Sequence, residues 1–120
     1  MTDWGTPEDV FPAGVKEEYV QALSDPQHIH AICEEYRAAA SIDIEHDKDD
    51  VKMNRRIQCP MMVLWAENGP LDNWYTAEGG PIAIWKKWAD QVTGIAMKGG
   101  HFFPEESPRE IAQSFQSFFI

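Results

Sequence analysis

The stretch CPMMVLWA, residues 59–66, is an apolar run without alternation. A strand with one wet face alternates apolar and polar residues, whereas a run of this kind suits a parallel strand covered on both faces. Parallel strands cannot be joined by a tight hairpin, so the chain must cross over between them. The following residues supply that crossover. PIAIWKKWADQV, residues 81–92, reads as an amphipathic helix with Ile82, Trp85, Trp88, Ala89 and Val92 on one side. GIAMKGG, residues 94–100, can form a second short strand. A closing helix is marked by Ser107 at N-cap, Pro108 at N1 and Glu110 at N3, a capping-box arrangement, with Ile111, Phe115 and Phe118 as its apolar face. The order strand, helix, strand, helix predicts one right-handed βαβ unit and a final helix, an α/β fold. Two strands are few for a parallel sheet, and the edge of MMVLW would be left open, so residues 58–120 read as the end of a larger α/β domain.

Residues 1–57 follow a different pattern. Val15, Tyr19, Val20 and Leu23 fall on one helical face. SDP then interrupts, with Asp25 as N-cap and Pro26 in the first helical position. Ile29, Ile32, Cys33, Tyr36 and Ala40 recur at intervals of three and four in a second helix, on which Arg37 is placed to pair with Glu34. The charged stretch from Asp43 to Ile57 reads as a surface helix broken near Asp49. Asp47, Asp49 and Asp50 invite a calcium reading, but the glycine and distal glutamate of a calcium loop are missing from the required positions, and a solvated acidic surface is expected instead.

Charge narrows the function classes. Twenty acidic against ten basic residues give a formal net charge of −10, which disfavours nucleic acid, bound through Lys and Arg on phosphates, and equally disfavours anionic membranes. No apolar run approaches the roughly 20 residues of a membrane span, and MTDWGTPEDV lacks the pattern of a signal peptide, so a soluble cytoplasmic protein is expected. Cys33 and Cys59 form no CxxC, which leaves no metal site and predicts two reduced, partly buried thiols.

One residue carries an evident chemical signal. His101, in GGHFFPEESPREI, follows the second predicted strand, where open α/β sheets carry their reactive groups. Gly99 and Gly100 let the backbone turn sharply there. A histidine so mounted can act as a general base, or it can simply be hydrogen-bonded in a loop. By position the two readings stand level.

HAICEEYRAAASIDIEHDKDDV (residues 30–51), CPMMVLWAENG, WKKWADQV and GGHFFPEESP, in that order, resemble the C-terminal portion of haloacetate dehalogenases, the fluoroacetate-dehalogenase-like α/β-hydrolases. CEEYRAAA together with EHDKDD is the more specific part; GGHF alone fits almost any α/β-hydrolase. The resemblance implies that residues 1–57 are the later part of a helical cap, and that residues 58–120 are the last two core strands with their helices. It implies an aspartate nucleophile that displaces halide from a short 2-haloacid to form an ester, and a histidine that activates water to hydrolyse it. His101 matches that histidine. The nucleophile, its neighbouring arginines and the relay aspartate have no counterpart here, and Trp4 is not assigned the family's halide-binding tryptophan. Tyr36 matches the cap tyrosine that donates to the departing halide; from periodicity alone it reads as a core aromatic. No cofactor is implied.

Two features depart from the family. Ala66 stands where glycine is usual, and the longer loop ENGPLDNWYTAEGGP adds Trp74 and Tyr75, which either cover a cleft or pad the core. Two rival readings stay open. One is epoxide hydrolysis, which uses the same aspartate–histidine core. The other is a truncated, non-catalytic interaction module that pairs with a complementary N-terminal half or forms a homodimer.

Overall fold

The computed structural model describes residues 6–120, so Trp4 lies outside the described residues. The chain forms two units: Phe11–Arg56, and Ile57–Ile120 together with residues 6–10.

The first unit is helical: α1 (Ala13–Ala22), α2 (Pro26–Ala39) and α3 (Ile42–Lys52). The start of α2 is as read. Asp25 accepts a hydrogen bond from the Gln27 amide at 2.8 Å, and Pro26 needs no partner for its missing N–H. Such a cap is worth about 1 kcal/mol. The break expected near Asp49 does not occur, and α3 continues to Lys52. Asp43 and Glu45 in its first turn and Lys52 in its last oppose the helix dipole in the favourable sense. The helix stops where Asn54 adopts φ 51° and the Arg55 amide bonds the Asp50 carbonyl at 2.8 Å. Glu34 pairs with Arg37, as the sequence anticipates.

Apolar periodicity in this unit does not translate into burial. Val20, Leu23, Val51 and Met53 are all more than half exposed. Cys33 is likewise exposed, against the expectation of a partly buried thiol, because Ile29 and Ile32 on the same helix are themselves open to solvent.

The second unit contains β1 (Met61–Ala66), α4 (Pro70–Trp74), a 3₁₀ turn (Thr76–Glu78), α5 (Gly80–Trp85), β2 (Val92–Met97), α6 (Phe103–Glu106) and α7 (Pro108–Phe119). The two strands are parallel, in register from Met61 opposite Val92 to Ala66 opposite Met97. Gly94 faces Val63, and a Cβ there would lie 2.3 Å from the Val63 carbonyl oxygen. Glycine is therefore required for the strands to approach. Val63, Pro81, Ala89, Met97 and Ile111 are the buried apolar side chains of this unit among the described residues. The rest of β1 is only half-buried, so cover on both faces is incomplete.

Three local expectations are corrected. The crossover helix ends at Trp85 rather than running to Val92, which opens β2. The cause is a contact distant in sequence: Ile57 donates to the Trp88 carbonyl at 2.8 Å and accepts from the Asp90 amide at 3.0 Å, drawing the chain into an extended bridge. Cys59 precedes β1 instead of opening it and is exposed. The capping box is not formed, since Ser107 makes no side-chain cap. Ser107 also ends α6, its amide bonding the Phe103 carbonyl at 2.9 Å, and at φ −135°, ψ 53° it joins the two helices directly.

Candidate active site

Because β1 and β2 are parallel, their carboxyl ends lie together, and the polypeptide leaves both at the same side of the sheet. After β1, Asn68 turns with φ 59°, and Gly69 packs where a Cβ would be 2.9 Å from the Ala66 carbonyl oxygen. This sharp exit aims α4 back over the strand end. The carboxylate of Asp72 then fastens α4, accepting from the Trp65 indole N–H at 2.8 Å and from the Asn68 amide at 3.1 Å.

After β2 the chain turns through Gly99, at φ 127°, to His101. The imidazole meets the ring of Phe102 edge-on, with centroids 5.0 Å apart. It opens into a cavity of about 300 Å³ walled by Trp65, Pro70, Leu71, Trp74 and Phe103. Among the described residues that line this cavity, His101 alone is ionisable. Such a site can take a small molecule with an apolar part and present one proton acceptor to it. Of the two roles left open for Trp74, the structure gives that of a cleft wall: it lines the cavity while 68% exposed. A larger groove of about 650 Å³ runs beside β2 and α7, past Ile95, Gln113 and Phe118, and has neither histidine nor cysteine in its lining.

The turn that carries His101 is held from both sides. Both carboxylate oxygens of Glu106 accept from the Gly100 amide, at 2.8 and 2.9 Å. The Thr6 hydroxyl donates to Glu106 Oε1 at 2.5 Å and accepts from the Phe102 amide at 3.1 Å. Thr6 is completely buried, so its polar group needs these partners. A Cβ on Gly99 would stand 2.9 Å from Glu106 Oε2 and 3.1 Å from the Phe103 Cβ.

Sequence reasoning missed Thr6, Glu106 and Asp72. Glu106 immediately precedes the Ser107–Glu110 capping pattern and is not part of it, and Thr6 has no local signal at all. Tyr36 lies on α2 of the helical unit and is 74% exposed, which excludes the core-aromatic reading of it within that unit. Among the described residues no group of three or more His, Cys, Asp or Glu side chains is arranged to hold a metal ion, and no helix is long and apolar enough to cross a membrane.

With this geometry in view, known proteins supply the context. No family model matches the chain. A candidate α/β hydrolase from Nostoc sp PCC 7120 superposes with a TM-score of 0.84 at 42% identity, over 96% of this chain and 38% of that one. The chain carries part of an α/β-hydrolase fold. A candidate epoxide hydrolase from Pseudomonas aeruginosa gives a TM-score of 0.82 at 39% identity, over 92% of this chain and 36% of its own. A fluoroacetate dehalogenase from Burkholderia sp is 31% identical over 116 residues, or 96% of this chain. The chain spans 36% of that dehalogenase's length. The resemblance drawn from CEEYRAAA, EHDKDD and GGHF thus extends over nearly the whole of this chain.

Proposed function

We propose that this chain supplies the water-activating histidine to a hydrolase that removes halide from a short 2-haloacid. In the reaction, a carboxylate on a complementary part of the enzyme attacks the carbon bearing the halogen. The carbon–halogen bond breaks, halide leaves with the bonding electrons, and an ester joins substrate to protein. His101 then takes a proton from water, the resulting hydroxide attacks the ester, and the hydroxyacid departs as the carboxylate is restored. The observation that carries this reading is the placement of His101 at the carboxyl end of β2, as the one ionisable group lining an apolar cavity among the described residues. The likeness to fluoroacetate dehalogenase supports the substrate class. In this reading Tyr36 donates its phenol hydrogen to the departing halide, a contribution that grows as the leaving group worsens.

In this reading the nucleophile is carried by a complementary N-terminal part of the enzyme that these 120 residues do not include. The exposed apolar side chains Val20, Leu23, Ile95 and Phe115 support such a partner, because surface of this kind favours cover. A general base is worth about 10²–10⁴ in rate, and only when there is an intermediate for it to act upon. The test combines the chain with the nucleophile-bearing part of the Burkholderia fluoroacetate dehalogenase and follows fluoride and chloride release. The chain alone should release none, and the combination should turn over. With His101→Ala the combination should stop after one equivalent of halide per site, with the ester trapped. Continued turnover by that variant, or halide release by the chain alone, would overturn the reading.

Epoxide hydrolysis is the second reading, favoured by the likeness to the candidate epoxide hydrolase from Pseudomonas aeruginosa. There Tyr36 would protonate the epoxide oxygen. Turnover of styrene oxide but not of haloacetates by the same combination would select it.

A further inference from the structure

We infer that Thr6 and Glu106 are positioning residues that clamp the turn bearing His101. The inference rests on the reading of His101 as the water-activating base. A base at the end of a flexible turn would spend much of its time misplaced, and small displacements of a catalytic group are costly in rate. Nothing in the glycine-rich approach to His101 supplies rigidity by itself, since Gly99 and Gly100 lack the side chains that would restrict the backbone.

The rigidity comes from a hydrogen-bonded ring. The Phe102 amide donates to the Thr6 hydroxyl, the hydroxyl donates to Glu106, and Glu106 accepts the Gly100 amide on both of its oxygens. The Phe102 amide fixes the His101–Phe102 peptide directly, and the Gly100 amide anchors the Gly99–Gly100 peptide, one link before the histidine, so the turn is tied on both sides of His101. Three features identify a built arrangement. Thr6 is 0% exposed. Its hydroxyl is used once as donor and once as acceptor, which a valine of the same shape cannot reproduce. Gly99 leaves the space into which the Glu106 carboxylate fits, with Oε2 only 2.9 Å from the place of a Cβ. These bonds of Glu106 run to the backbone and to Thr6, so it orients the turn through main-chain contacts and not as the histidine's proton relay.

The test is made on the full chain, labelled with ¹⁵N and ¹³C. Thr6→Val and Glu106→Ala should each speed hydrogen exchange at Gly100 and Phe102 by about tenfold or more, and should broaden or split the His101 ring signals. Exchange at Met61 and Glu67, whose amides bond across the strands to Gln91 and Met97, should stay within about twofold. Thr6→Ser keeps the hydroxyl and should restore the parent spectrum. The proposal is overturned if the Gly100 and Phe102 amides and the His101 ring do not respond. It is equally overturned if protection is lost evenly through both strands, or if Thr6→Ser behaves like Thr6→Val. This readout concerns the turn alone. An absence of halide release by the combination with the nucleophile-bearing part, with the clamp intact, would count against the role of His101 and not against the clamp.

Discussion

The indole N–H of Trp65 donates to Asp72 Oδ1 at 2.8 Å, tying the end of β1 to the helix that walls the histidine cavity. Asp72 also accepts the Asn68 amide, so one half-buried carboxylate holds both the turn and the wall. Asp72→Ala should cost about 1–3 kcal/mol, the usual range for losing hydrogen bonds to a charged group. The Trp65 indole proton should shift and exchange faster, as read by NMR, while the Trp88 indole is unaffected. An unchanged Trp65 signal would show that the wall is held in some other way.

Gly94→Ala should be among the most damaging single changes in the second unit. Its methyl would lie 2.3 Å from the Val63 carbonyl oxygen, and neither strand can yield without losing its neighbour. A loss of about 3 kcal/mol or more is expected, with denaturant unfolding as the measure. A stability within 1 kcal/mol of the parent, about the error of such a comparison, would contradict the register.

Gly99→Ala combines two penalties: a φ of 127° that side chains rarely adopt, and contact with the Glu106 carboxylate. Strained backbone of this sort costs about 1–3 kcal/mol. The variant should lower the melting temperature and disturb the Gly100 amide together. A change in one without the other would separate the two penalties.

Both thiols should be reactive in the native chain. Cys33 and Cys59 are exposed and free of a disulfide, so an aromatic disulfide reagent should titrate two equivalents without denaturant. Cys33→Ser and Cys59→Ser should each remove one equivalent and change stability by less than about 0.5 kcal/mol, as surface substitutions do. A thiol that reacts only after unfolding would contradict the exposure seen.

What the sequence made legible was local. Asp25 and Pro26 mark a helix start through a short-range bond between a side chain and the next turn, and α2 begins there. The unalternating run after Cys59 marks a parallel strand because its period depends only on its own residues, and β1 pairs in parallel as expected. The failures share the opposite cause. Periodicity carried the crossover helix on to Val92, yet Ile57 competes for the backbone around Ala89 and wins. Ser107 has the spacing of a capping box, but the short helix before it has already fixed its backbone. Cys33 keeps the rhythm of an apolar face, and rhythm alone cannot tell whether that face is covered. His101 was visible from its flanking glycines and its place after a strand. The groups that hold its turn were not, because Thr6 lies 96 residues from the amide it accepts.

That separation has a kinetic consequence. The strands join residues about thirty positions apart, as with Thr93 and Met61, whereas the Thr6–Glu106 bond closes a ring of a hundred. Closing the wider ring costs more chain entropy, and it yields its bond only once the residues between have stopped wandering. On loop-closure entropy alone, pairing of the strands is expected ahead of ordering of the turn that bears the imidazole. Time-resolved exchange labelling should then protect the Met61 and Glu67 amides before those of Gly100 and Phe102.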